Sequence, residues 1–261
     1  MHPRRVRSVS FAFEPATTID EVIERLDVIA SEALERGERH GWFACLYRRT
    51  TENVRRGIQR GRFADGPRME RLDVVFANRY LEAYDRHRAG LPPTDAWRYA
   101  FARADEPDHL VLQHLMLGMN AHINLDLGIA AHAVCPGAGI GALESDFFEI
   151  NRILAEMIDV VQADLNRLSP LLHWIDRFGG RGDEALVHAF LARSRRAAWR
   201  KALRLARLEP HLHDRAVHGF DRSTTALARR LCPPPDGQPA WLRTVRTREP
   251  EDLEAVYQIL S

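Results

Sequence analysis

Apolar residues recur along this chain at helical spacing, and no stretch alternates apolar with polar as a half-buried strand would. Thr18 followed by Glu21 forms a capping-box pattern ahead of "VIERLDVIASEALERG", and Gly37 supplies a left-handed stop, which predicts a helix over about 19–36. "WFACLYRRTTENVRRGIQRG" predicts one broken or two short helices. "RMERLDVVFANRYLEAYDRHRAG" predicts a helix over about 68–89, with Asp73, Ala77, Tyr80 and Tyr84 on one face and Gly90, Pro92 and Pro93 ending it. Thr94 is placed to cap a short helix through Trp97 and Phe101.

The most apolar segment, about 110–133, predicts a buried central helix that nevertheless carries Gln113, His114, Asn120, His122, Asn124, Asp126 and His132. At roughly 100° per residue, Gln113, Asn120 and Asn124 share one stripe, while His114, Gly118, His122 and Asp126 form a ridge of residues four apart. Beyond it, "CPGAGIGALES" reads as a connector, because it lacks the preceding strand and the spacing of a phosphate-binding loop. Asp146 with Glu149 repeats the capping-box pattern and opens a helix to about 168, stopped by Ser169 and Pro170. A short piece "LLHWIDRF", a "GGRGD" turn, helices over about 183–208 and 211–231, a "CPPPDGQP" break and a last short helix in "EPEDLEAVYQIL" complete the chain. No repeat of 20 to 50 residues is evident. The expected fold is all-α: a multi-helix bundle around the central helix, in one domain over 1–261 with 233–261 as a C-terminal appendage.

Composition narrows the function classes. With 45% hydrophobic and 28% charged residues, the 261-residue chain has the makeup of a soluble globular protein. The 37 basic residues nearly balance the 36 acidic ones, so no global field gathers nucleic acid, and a nucleic-acid partner is not expected. Placing so many polar side chains of the central segment in lipid would be costly, so no membrane span is expected. Cys45, Cys135 and Cys232 are odd in number and widely spaced. They suggest reduced thiols, and with a basic start that lacks the apolar run of a signal peptide the expected location is cytoplasmic. No G-x-S-x-G elbow, Walker loop, dinucleotide fingerprint or zinc ribbon appears, which disfavours serine hydrolases and nucleotide enzymes of the common folds.

Candidate chemistry centres on the central helix. His122 and Asp126, four residues apart, can supply two ligands to a divalent ion such as Zn, Fe or Mn; the same spacing also suits a hydrogen bond in which Asp126 orients His122. His114 could join them only if an ion lay over Gly118, because it stands about 12 Å up the axis. Asp146, arriving from the next helix, could complete the set, or could simply cap its own helix. Asn120, Asn124, Asp73 and Arg193 are the candidate substrate contacts. Asp73 beside Tyr80 and Tyr84 could transfer a proton or pair with an arginine such as Arg79.

Arg193, Arg196, Arg200, Arg204 and Arg207 fall within about 80° of one another and form either an anion-binding face or a solvated one, with Arg193 expected to point inward. His211, His213, Asp214, His218 and Asp221 allow a metal pair but read more simply as a surface helix.

"VLQHLMLGMNAHINLDLGIAA", together with "LDVVFANRY", "DFFEINRIL" and "ARSRRAAWRKA", resembles a bacterial family known as domain of unknown function 5995, with an H-I-N-x-D-L core as its signature. The resemblance runs from about residue 20 to the C-terminus and implies a helical protein, without an established activity, cofactor or catalytic residue. Two readings therefore stand. One is a metal-dependent enzyme, hydrolytic or oxygen-activating, or a small-molecule binder with its site inside the bundle. The other is a non-catalytic helical module in which the same side chains satisfy one another.

Overall fold

A computed structural model describes residues 12–168, 183–238, 240–250 and 252–261. Among them there is no strand, and the fold is all-α. The helices are α1 (Ile19–Glu35), α2 (Gly41–Gln59), α3 (Gly66–Arg88), α4 (Asp95–Ala104), α5 (Val111–Ala121), α6 (Leu127–Val134), α7 (Glu144–Leu168), α8 (Asp183–Arg207), α9 (His213–Leu231), α10 (Ala240–Arg246) and α11 (Leu253–Leu260). The short piece and glycine turn expected within 169–182 lie outside the described residues.

Local signals set several ends. The Thr18 side chain accepts from Glu21 N–H and Glu21 reaches back to Thr17, so α1 starts where the capping pattern places it. Gly37, at φ 67°, ends it. The segment that follows forms one continuous helix, Gly41–Gln59, rather than a broken one. The Thr50 hydroxyl and the Asn53 amide donate back to the carbonyls of Leu46 and Arg49 instead of interrupting the ladder. Gly57 sits where a β-carbon would come within 2.8 Å of Ile153, so packing selects it without a bend.

The expected central helix is present, but it is not uniform. Between α5 and α6, residues His122–Asp126 form a π-helical turn in which Leu127 N–H bonds to His122 C=O. One residue is thereby inserted into the helical register, and the row of residues four apart drawn from ideal geometry does not continue through it. Around this axis pack α2, α3, α4, α8 and α9. Leu115, Leu117, Ala121, Leu125, Ala130 and Ala131 are almost fully buried. Gly128 lets α8 approach closely, since a β-carbon there would stand 2.6 Å from the Ala198 carbonyl. The C-terminal stretch folds back onto the bundle: α11 packs on α1, α2 and α7, and the Tyr257 hydroxyl donates to the Glu38 carbonyl.

Among the described residues, no single helix is long and apolar enough to cross a membrane.

Candidate functional site

The π-turn is where the bundle's two apolar clusters meet, with Ile123 and Phe76 packing against both. π-turns inserted in α-helices are frequently found at functional sites. His122 opens the turn and Asp126 closes it. The Asp126 carboxylate is 1% exposed, yet both oxygens are engaged: Oδ1 accepts from Arg79 Nε and Oδ2 from Trp97 Nε1, each at 2.8 Å. His122 Nδ1 stands 3.5 Å from Oδ2. A carboxylate only accepts, so Nδ1 carries the hydrogen and Nε2 presents a lone pair. Burial pushes the Asp126 carboxyl upward, but Arg79, His122 and Trp97 together outweigh it and hold it below the usual range. Burial lowers His122 despite Asp126, which keeps the imidazole neutral.

Aromatic rings enclose this imidazole. Phe76 stacks on it with centroids 3.5 Å apart and planes 9° from parallel, and Tyr47 meets it edge-on at 4.5 Å. Phe43, Tyr80 and Trp97 complete the wall. Gly118 makes room for Phe43, because a β-carbon there would fall 2.5 Å from its ring.

His122 Nε2 and, near Tyr47, Asp73 Oδ2 are buried without a hydrogen-bond partner; so is the Tyr80 hydroxyl, whose neighbours are Tyr84, Tyr257 and Cys45. The hydroxyls of Tyr47 and Thr51 neighbour each other without a well-aligned bond. Asp73 does not pair with Arg79, which is taken by Asp126. Burial, with Glu70 nearby, raises the Asp73 carboxyl to about 7. Its charge is felt at Tyr47, whose hydroxyl is pushed well up first by burial and then by Asp73 and Asp126.

The four expected metal ligands are not brought together. His114 packs against Trp42 and His109, away from the rings around His122. Asp146 accepts from Ala64 N–H, Asp65 N–H and Arg68, tying the start of α7 to the start of α3. Among the described residues, no three His, Cys, Asp or Glu side chains are placed to hold a metal ion. The capping-box reading of Asp146 also fails, since its oxygens serve another helix's approach while Glu149 pairs with Arg62.

The amide stripe is a separate, bonded network. Asn120 donates to Thr224 C=O, and Asn124 donates to Asn120 Oδ1 and Ser194 Oγ. Lys201, the only lysine, donates to Asn124 C=O within the π-turn. Arg193 is exposed, as are Arg196, Arg200, Arg204 and Arg207; the arginine that α8 buries is Arg195, which donates to Phe147 C=O. In the histidine-rich stretch of α9, His211, Asp214 and His218 are exposed. Asp221 is buried and caps α4 by accepting from Asp95 and Ala96 N–H.

Sequence reasoning missed Phe43, Tyr47, Thr51, Phe76 and Trp97 as site residues, and offered Arg79 only as a partner for Asp73 rather than for Asp126. A signal was available, since Phe43, Tyr47 and Thr51 stand four apart and share one face of α2.

These features define an all-helical bundle protein with a polar, aromatic-walled centre at a π-turn. Residues 19–234 match the family of unknown function DUF5995, and the chain belongs to that family. No curated protein and no solved structure matches it.

Proposed function

We propose that this protein binds a small polar molecule at the π-turn and acts on it by general acid–base chemistry. The observation that carries this reading is the set of buried polar atoms without a well-formed hydrogen bond at His122 and the adjoining Tyr47: His122 Nε2, Tyr47 Oη, Thr51 Oγ1 and Asp73 Oδ2. Leaving a buried donor or acceptor unsatisfied costs about 1–3 kcal/mol each, so several in one place favour an occupant that completes them. In this reading His122 Nε2 is the base. Asp126 fixes its tautomer, while Trp97 and Arg79 hold that carboxylate still. Asp73, with a pKa near 7, is the proton donor, and the phenol of Tyr47 orients the ligand. Phe43, Phe76 and Trp97 supply apolar walls that exclude water.

A metal-assisted version is not carried forward, because Asp126 is committed to Arg79 and Trp97, and His114 and Asp146 face other partners. The non-catalytic reading is favoured by one observation, the close stack of Phe76 on His122. Equilibrium dialysis of the protein against a small-metabolite extract, followed by mass spectrometry of the retained material, separates the two. Retention of a small polar compound that is lost in a folded His122→Ala variant supports the site. No retention, with His122→Ala changing only the melting temperature, leaves the structural module.

A further inference from the structure

His114, displaced from the π-turn set, belongs to a different cluster. It lies beneath the start of α2, with its ring edge-on to Trp42 at 5.2 Å and 5.9 Å from the ring of His109. The guanidinium of Arg39 lies 5.9 Å from the centroid of Trp42. Trp42 and His114 are 2% and 7% exposed, whereas Arg39 is half-buried at the rim. Trp42 Nε1, Arg39 Nε and both nitrogens of His114 have no hydrogen-bond partner. An indole and a guanidinium can only donate. Their natural complement is an acceptor, and none of the described residues supplies one to these atoms.

Of the neighbouring acids three are already engaged, while Asp108, which with Asp105 acts on the Arg39 charge, is exposed. Glu249 Oε2 accepts from Val111 N–H at the start of α5, Glu106 faces Arg103 and His109, and Asp105 lies 3.5 Å from His40. The two helix starts in this region therefore differ. α5 receives a carboxylate from the C-terminal stretch, whereas α2, which is 19 residues long, has no capping bond from its own N-cap residue and no acidic residue in its first turn, and meets only the neutral Tyr257 hydroxyl at Gly41 N–H. Such an N-terminus favours a negative charge. Arg246, whose Nε donates to Pro107 C=O, adds positive charge, felt at both Arg39 and His114.

We propose that Arg39, Trp42 and His114 form a second ligand site, which takes a small oxyanion, a phosphate or a carboxylate, at the N-terminus of α2. Arg39 is the charged contact, Trp42 Nε1 and one nitrogen of His114 donate to the anion's oxygens, and the C-terminal stretch carrying Arg246 and Glu249 borders the site. The site is separate from the His122 centre, so either proposal can fail without the other.

The test is thermal unfolding of the full chain titrated with inorganic phosphate and, separately, with acetate, each against chloride at matched ionic strength. The expected result is a saturable rise in melting temperature with at least one of the two anions, with the affinity reduced about tenfold or more in Arg39→Gln. It should be unchanged in Arg196→Gln, which alters an exposed arginine elsewhere. A response to phosphate alone identifies phosphate compounds as the ligand class, a response to acetate alone identifies carboxylates, and a response to both defines a general oxyanion site. Should Arg39→Gln fold poorly, the Trp42 indole N–H resonance, assigned by its absence in Trp42→Phe, is followed in the unaltered protein and should move as it gains an acceptor. No saturable rise and no movement of that resonance, or a rise that Arg39→Gln retains, overturns the proposal.

Discussion

The indole Nε1 of Trp97 donates to Asp126 Oδ2 at 2.8 Å, joining α4 to the end of the π-turn inside the protein. That bond and the one from Arg79 are what make a carboxylate tolerable at 1% exposure. Trp97→Phe keeps an aromatic ring but removes the donor and part of the buried indole, so the lost hydrogen bond sets the lower part of the effect. The substitution should lower stability in urea denaturation by at least roughly 1.5–3 kcal/mol, the range for a hydrogen bond to a charged group. A change below about 0.5 kcal/mol would mean that Asp126 finds a replacement donor.

Asp73 gives a pH dependence of definite sign. Its carboxyl rises from an ordinary 3.8 to about 7 in the folded protein, so its contribution is fully present below about pH 4 and is lost as pH rises through 7. Replacing it with Asn should leave stability at pH 4 nearly unchanged and raise it at pH 8, by at most about 4 kcal/mol for a shift of this size. Chemical denaturation at the two pH values checks this, and equal effects at both would show that Asp73 is not a buried neutral acid.

His122 acts with the opposite sign. Burial depresses its pKa, so its contribution is present above the ordinary value of 6.5 and is lost as pH falls below it. Asp126, also held low, adds a further loss at more acid pH. Over pH 8 to 5 this loss is superposed on the opposite change from Asp73, so it is read as a difference: as pH falls, His122→Gln should lose less stability, or gain more, than the native protein. An NMR titration in which His122 protonates near 6.5 would contradict this.

Gly118 is a packing requirement. Alanine is the better helix former by about 1 kcal/mol, but its β-carbon would come within 2.5 Å of the Phe43 ring. Gly118→Ala should therefore destabilise by about 1–3 kcal/mol and disturb the wall around His122. Gly139→Ala, where nothing lies within 4 Å, should be close to neutral. Thermal unfolding of both variants provides the comparison.

Asp221 caps α4 from another helix, so Asp221→Ala should cost about 1–2 kcal/mol, whereas Thr94→Ala, at the nominal cap, should cost little. Equal losses in the two variants would return the capping role to Thr94.

Much of the architecture was legible in the residues alone. Helical periodicity, the Thr18 and Glu21 pair and the Gly37 and Gly90 stops depend on neighbours a few positions away, and the observed ends of α1 and α3 lie within about two residues of those signals. The central segment is buried for a similar reason, since a run with apolar residues on every side has nowhere else to go, and it takes its polar side chains inside with it. The pairing of His122 with Asp126 was readable too, being local. Tertiary structure alone decided which distant groups complete each polar side chain. Arg79 chose Asp126 over Asp73, Asp146 and Asp221 went to the starts of other helices, and Arg195 rather than Arg193 turned inward. The π-turn separates these two levels: one inserted residue re-aims the side chains after it, and spacing along an ideal helix cannot anticipate the change. Helix formation is settled by short-range backbone geometry, whereas the satisfaction of a buried charge depends on which donor lies nearest in space, a quantity that exists only once the helices have packed.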